Sequence, residues 1–340
     1  MSTQRSLSRA SNDVGQADVG QPDVERSDVE QSDVGAGAVQ RTVRRRRGAR
    51  VVEALDAIAA EVPIALIYNA TPFAVMMATP EDLADFALGF SLSEGIVDTA
   101  DELRIEEIAT SLEGITIQLT IPEPRAAALE QRRRNLQGRS GCGVCGTESI
   151  EAVLRPPPRV GESAPLRARA LQRALRELRE RQPLNALTGA THAAGWADRD
   201  GRVLLVREDV GRHNALDKLV GALTANGIDP LLGFAVVTSR ASYEMAMKAA
   251  QAGIPLLAAI SAPTALAIAL AHSAHLTLIG FARDDGHAVY THAQRLLEDD
   301  APPSDASPDA TQASRSSHAA PEPARQRAGR LGRDATESNP

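Results

Sequence analysis

From residue 191 to residue 281 short apolar runs alternate with amphipathic segments, and no other feature of the chain restricts its fold so strongly. The spacing predicts strands over 191–197, 203–206, 233–237, 256–260 and 276–281. Helices are predicted over 214–224, 243–252 and 264–274. Short apolar strands separated by helices need a sheet buried on both faces, so the expected fold class is α/β: a three-layer core around a mixed sheet.

Upstream, 62–68 and 73–78 read as strands joined by a turn over 69–72. A helix is expected next, with Thr79 as N-cap, Pro80 at its first position, Glu81 and Asp82 in its first turn, and Leu83, Phe86, Ala87 and Phe90 at helical spacing until Gly95. Ile115, Ile117, Leu119 and Ile121 alternate as in a half-buried strand. Helices are expected over 126–136, 147–154 and 166–181, the last with Leu171, Ala174, Leu175 and Leu178 on one face. The first of these elements form a smaller N-terminal α+β subdomain ahead of the core.

Both ends lack the apolar content to fold. Residues 12–35 repeat a five-residue acidic unit whose only sizeable apolar side chain is valine, which cannot offset roughly 1–2 kcal/mol of ordering entropy per residue. Residues 1–50 are therefore expected to be a disordered arm ending in an Arg-rich linker, 51–297 the folded body, and 298–340 a disordered tail. Arg41, Arg44, Arg45, Arg46, Arg47 and Arg50 read as a solvated charged linker or a contact for an acidic partner.

A net charge of −7 argues against nucleic acid as the main partner. Glu53, Asp56 and Glu61 interrupt the stretch that a twin-arginine export signal would need, and Pro255, Ser261, Pro263 and Thr264 punctuate the most apolar run, so no export and no membrane span are expected. With two cysteines three positions apart, a disulfide framework is not indicated and a reducing cytoplasm is the expected compartment.

Those cysteines, Cys142 and Cys145, sit among Gly141, Gly143 and Gly146. Glycines leave backbone amides open to a sulfur anion and give a partner close access. A helix starting near Thr147 and the charge of Arg139 would both lower a thiol pKa from about 8.5. Three other readings stay open: half of a zinc site completed by His192, His213 or a second subunit, a thioredoxin-like dithiol, or two structural cysteines. Zinc deaminases also use CxxC, but they need H-x-E, and no histidine here is followed two positions later by glutamate.

The motifs Ser140–Gly146 with its two cysteines, Thr191-His192-Ala193-Ala194, Glu208-Asp209-Val210-Gly211-Arg212-His213-Asn214-Ala215-Leu216-Asp217-Lys218 and Thr238-Ser239-Arg240-Ala241-Ser242-Tyr243-Glu244-Met245 together resemble the FdhD family of formate dehydrogenase accessory sulfurtransferases. Glu61-Val62-Pro63 and Asn69 are similar to a shorter motif of that family. The resemblance covers essentially 51–297 and implies a cytidine-deaminase-like fold without zinc and with no metal of its own. It further implies a sulfur carrier that accepts persulfide sulfur from a cysteine desulfurase and passes it to the molybdenum of a bis-molybdopterin guanine dinucleotide, bound as substrate, for formate dehydrogenase. By motif position Cys142 would carry the persulfide and Cys145 would assist, while Phe281, Ala282, Arg283, Asp284, Asp285 and Gly286 would form a cofactor-binding loop after a strand. A homodimer is implied by the resemblance alone.

Around these, Arg212, His213, Asp217 and Lys218 either orient guanine and phosphate groups or cap and solvate a helix. Thr238, Ser239 and Arg240 are placed for anion binding, and His192 reads as a satisfied core histidine. A non-catalytic chaperone for the cofactor is the alternative to sulfur transfer.

Overall fold

The computed structural model describes residues 35–134 and 156–299. The arm 1–34, the cysteine loop with Cys142 and Cys145, the expected helix over 147–154 and the tail from residue 300 lie outside the described residues.

The chain first forms a hairpin of β1 (Ala38–Arg47) and β2 (Arg50–Ala59), turning at Gly48 with φ 61°. The Arg-rich stretch expected to be linker is therefore a strand. Its arginines are interleaved with Val39, Thr42 and Val43, and the backbone pairing with β2 is joined by one ion pair, Arg45 with Asp56 at 2.7 Å.

A four-stranded sheet follows, in the order β4 (Thr71–Ala78), β3 (Val62–Tyr68), β6 (Ile115–Thr120), β5 (Arg104–Thr110). Period-two alternation turns Ile64, Leu66, Ile117 and Leu119 toward Phe86 and Phe90 of α1 (Leu83–Ser93), and Leu129 of α2 (Glu123–Arg134) joins that core. The expected turn is there, with Asn69 and Ala70 at positive φ. Asn69 also clips this sheet, its side chain donating to Ile121 O and accepting from Ile121 N, both at 2.9 Å.

The main sheet has the order β13 (Gly286–Val289), β12 (Thr277–Arg283), β11 (Leu256–Ala259), β10 (Gly233–Val237), β8 (His192–Asp198), β9 (Val203–Asp209). Strands β10, β11 and β12 are parallel, while β8, β9 and β13 run antiparallel to their neighbours. A single parallel ladder, β7 (Leu166–Arg167) with β14 (Leu296–Leu297), closes the chain beside it.

Helices pack on both faces. On one face α5 (Arg212–Ala225), α6 (Tyr243–Gln251) and α7 (Ala265–Ser273) bury Leu216, Leu219, Met245 and Leu270 against Trp196, Val237 and Leu278. On the other, α3 (Ala168–Glu180) sets Leu171, Ala174, Leu175 and Leu178 on Phe234, Val236 and Ile279, the stripe expected from the sequence. The short α4 (Pro183–Thr188) follows α3 and is capped by Glu208, which accepts from Leu184 N at 3.0 Å and Asn185 N at 2.7 Å.

Helix α5 joins the two sheets, because its outer side packs on α1. A β-carbon on Gly89 would stand 1.7 Å from Asp217 O, and one on Gly221 1.9 Å from Asp85 O, so the helices cross at a distance only glycine permits. Two buried ion pairs flank the crossing. Lys218 and Asp209, both fully buried, meet at 2.8 Å. Lys248 reaches Asp217 at 2.9 Å and Glu94 at 2.6 Å. Burial alone would push the Lys248 ammonium down, yet the two carboxylates outweigh it and hold it above its ordinary range.

These bonds correct two expectations. Thr79 does not cap α1: it is fully buried, its N–H donates to Asp209 Oδ2 at 3.0 Å and its hydroxyl accepts from Val210 N at 3.1 Å. The helix starts later, at Leu83, after Asp82 in the left-handed region. Asp217 and Lys218 neither solvate a helix nor reach a ligand, since α5 is buried without interruption from Asn214 to Leu223.

Replacing Lys218 by methionine strands the Asp209 carboxylate and is expected to cost about 3–5 kcal/mol in urea unfolding. A loss below about 1 kcal/mol would contradict the structural role given to this pair.

Candidate functional site

The ends of β9, β10, β11 and β12 and the start of β8 share one edge of the main sheet: Asp209 faces His192 across β8 and β9, and Thr238 N donates to Ala193 O at 3.0 Å. In open α/β sheets the carboxyl edge of the parallel strands is where ligands bind, because loops there converge while the sheet supports them. Helices α5 and α6 begin at this edge, each adding positive dipole potential.

Arg212 opens α5, immediately after Gly211. Half-buried, its side chain makes no ion pair and no hydrogen bond among the described residues, and its Nε is sealed from solvent without a partner. A buried guanidinium nitrogen left unmatched costs free energy, so the position calls for an acceptor from beyond the described residues. His192 stands close enough to feel that charge. Burial, then Arg212, then His213 push the His192 imidazole below its ordinary range, against Asp209.

His192 is thus no satisfied core histidine: it is half-exposed, and its ring has no hydrogen bond among the described residues. His213 Nε2 is engaged, at 2.8 Å from Glu244 Oε2 and 3.5 Å from Ser242 Oγ. The His213 hydrogen bond holds the Glu244 carboxyl below its usual range.

The loop after β10 divides by role. Thr238 Oγ1 accepts from Ala193 N at 2.9 Å and the buried Ser239 donates to Arg240 O at 3.0 Å, so both hydroxyls serve the backbone. Arg240 is the exposed member. This loop is knitted to the one after β11 through Thr264 N donating to Ala241 O at 3.0 Å.

The expected cofactor-binding loop differs in form. Phe281, Ala282 and Arg283 still belong to β12, Asp284 and Asp285 make a tight turn, and Gly286 begins β13. The strand continues because β13 pairs with it, Arg283 opposite Gly286, across a bulge that starts at Gly280. The bulge puts Phe281 at φ 50° and leaves it 45% exposed, its N–H on Ser261 O at 3.1 Å, at the same edge as Arg212 and Arg240. Ala282 is buried. Asp284 is paired with Arg179 of α3, and that pairing holds its carboxyl below the usual range. Arg283 makes no ion pair among the described residues.

The edge therefore joins four of the predicted segments, those around His192, Arg212, Arg240 and Phe281, while Cys142 and Cys145 lie outside the described residues. The sequence profile of the FdhD/NarQ family matches residues 59–297.

This chain belongs to the FdhD/NarQ family.

Among curated FdhD relatives, the sulfur carrier protein FdhD of Xanthomonas euvesicatoria pv. vesicatoria (strain 85-10) is 69% identical over 260 residues, 76% of this chain and 92% of that protein. The sulfur carrier protein FdhD of Cupriavidus necator is 54% identical over 254 residues, 75% of this chain and 88% of that protein. A crystal structure of a proposed formate dehydrogenase accessory protein from Desulfotalea psychrophila shares the fold, with TM-score 0.59 and 24% identity over 76% of this chain and 99% of that one.

Within this FdhD-family fold, no three ligating side chains are grouped for a metal ion among the described residues, and no described helix is long and apolar enough to cross a membrane. The buried bonds of Asp209, Asn214, Asp217 and Lys218 were not foreseen. The only signal was the presence of charged residues inside an otherwise apolar helix.

Because the folded His192 imidazole binds protons less readily than an unfolded one, its contribution to stability is present above about pH 6.5 and lost as pH falls toward the lower folded value. His192→Gln is expected to flatten the stability profile in that acid window. Unfolding curves of the two proteins that stay parallel from pH 7.5 to pH 5 would refute the placement (pH values set about the ordinary imidazole range).

Proposed function

We propose that this chain is a sulfur carrier for formate dehydrogenase, receiving sulfur on Cys142 and delivering it to a molybdenum cofactor bound at the carboxyl edge of the main sheet. The observation that carries the binding half is Arg212, whose sealed and unmatched Nε calls for an acceptor such as a phosphate or a guanine carbonyl. The helix starts of α5 and α6 favour the same anion, and the exposed Phe281 offers a face on which a base can stack. Phe281, Arg283 and the turn through Gly286 are the remaining cofactor contacts in this reading. Asp284 is drawn aside by Arg179, which relieves the clash a carboxylate would have with a pyrophosphate. The sheet with helices on both faces is compatible with the deaminase-like core that the family resemblance implies.

The transfer half rests on the glycine-flanked Cys142-x-x-Cys145 and on the family. The Cys142 thiolate attacks the outer sulfur of the desulfurase persulfide, and the desulfurase cysteine leaves as a thiolate. Attack of the Cys145 thiolate on the inner sulfur of the Cys142 persulfide then closes a disulfide and releases the outer sulfur as sulfide to the molybdenum. The two cysteines are oxidised, the transferred sulfur is reduced, and a dithiol reductant must reset the pair. A cysteine desulfurase and formate dehydrogenase are the partners, with a homodimer in a reducing cytoplasm as the working form.

Incubation with a desulfurase and cysteine is expected to add sulfur, seen by intact-protein mass spectrometry, to the wild type and not to Cys142→Ala. Sulfur still gained by that variant would overturn the assignment. Separately, Arg212→Ala is expected to weaken guanosine diphosphate binding by about tenfold or more, the worth of one charge-assisted contact. Retained formate dehydrogenase maturation by Cys142→Ser, with binding intact, would leave only a cofactor-binding chaperone.

A further inference from the structure

The β1–β2 hairpin is sparsely covered. Of residues 38–59 only Ala38, at its root, is buried. By register one face carries Val39 beside Ile58, Arg41 beside Asp56, Val43 beside Ala54 and Arg45 beside Val52, so apolar rungs alternate with arginine-bearing ones, and two arginines share the one carboxylate of Asp56, which Arg45 reaches at 2.7 Å. Val39 and Ile58 are both exposed, and although α4 touches β2, a two-stranded ribbon of this length is marginal in water without further cover. Among the described residues Arg44 and Arg47 have no ion pair, and Arg46 reaches only Gly48 O. The ribbon holds six arginines against Glu53 and Asp56.

A complementary segment precedes it in the same chain. Residues 12–34 hold seven carboxylates against Arg26, and five of them form Asp-Val pairs at Asp13, Asp18, Asp23, Asp28 and Asp33. Each unit thus brings one carboxylate and one β-branched apolar side chain, the two kinds of group that the ribbon presents rungs for. The segment ends three residues before β1, at the hairpin's root, where Gly37 N is fixed to Glu81 at 2.7 Å. A ten-residue strand is about 33 Å long, and 23 residues extend to about 75 Å, so the segment spans the whole ribbon. Such a tether holds it near the ribbon at a millimolar-range effective concentration. The family profile begins at residue 59, so most of the ribbon and all of the repeat precede the region it matches.

We propose that the acidic repeat, residues 12–34, docks on the arginine hairpin and masks it from other anionic partners. The test uses the full chain, comparing wild type with a variant in which Asp13, Asp18, Asp23, Asp28 and Asp33 are asparagine. Amide hydrogen exchange over 38–59 is expected to be at least fivefold faster in the variant at low salt, and the wild type is expected to match it near 1 M salt, where the Debye length is about 3 Å. A labelled peptide of residues 12–34 is expected to bind the variant at least tenfold tighter than wild type, and to lose that binding when Arg41, Arg45 and Arg47 are serine. Equal exchange in the two proteins, or equal peptide binding, overturns the proposal. Protection that rises with protein concentration would assign the face to a second copy and overturn it equally.

Discussion

The buried pair of Asp209 and Lys218 is the constraint from which the carboxyl edge of the sheet takes its shape. Two charges removed from water are tolerated only when their remaining hydrogen-bonding capacity is met. Asp209 accepts from Thr79 N, Gly211 N and Asn214 Nδ2, and Lys218 donates to Thr79 O and Glu208 O. Those partners come from the end of β4, the end of β9 and the start of α5. One ion pair therefore locks the N-terminal subdomain against the core and sets where α5 begins. Its return is positional, since a well-packed apolar pair would give comparable stability.

Position matters because Arg212 and His213 follow directly after this lock. The first turn of α5 cannot shift without breaking the bonds to Asp209, so the unmatched Arg212 guanidinium is held at the edge beside His192 rather than swinging into solvent. A molecule of net charge −7 thus presents a local cationic corner, which favours an anionic ligand there through short-range contact more than through long-range attraction. The arginine ribbon differs in kind, being exposed and adjacent to a compensating acidic segment.

Much of the core was legible in the sequence, because strands buried on both faces must be short apolar runs and their helices must show a stripe. Residues 62–68 and 233–237 coincide with the observed strands, and Leu171, Ala174, Leu175 and Leu178 form the buried side of α3. Thr79 misled because a good N-cap side chain was taken by a partner 130 residues away, which local spacing does not encode. The arginine strand was missed for a related reason: charge density suggested solvent, while the strand that pairs with it and the Asp56 that meets Arg45 lay on the returning segment. At the site, Arg212 was legible only as one of several charged residues. That Asp217 and Lys218 are locked inside while Arg212 is unmatched depends on α1 covering one side of α5, a tertiary fact. Phe281 reads from sequence as the last residue of a strand and the first of a loop, and the bulge that exposes it required knowing that β13 would pair back.

Sulfur reaching the molybdenum through this chain is tested most directly by the sulfur content of the cofactor extracted from formate dehydrogenase. Enzyme matured in cells containing this protein is predicted to carry the terminal sulfur ligand on molybdenum, and enzyme from otherwise identical cells lacking it to carry none. Equal sulfur in the two preparations would contradict it.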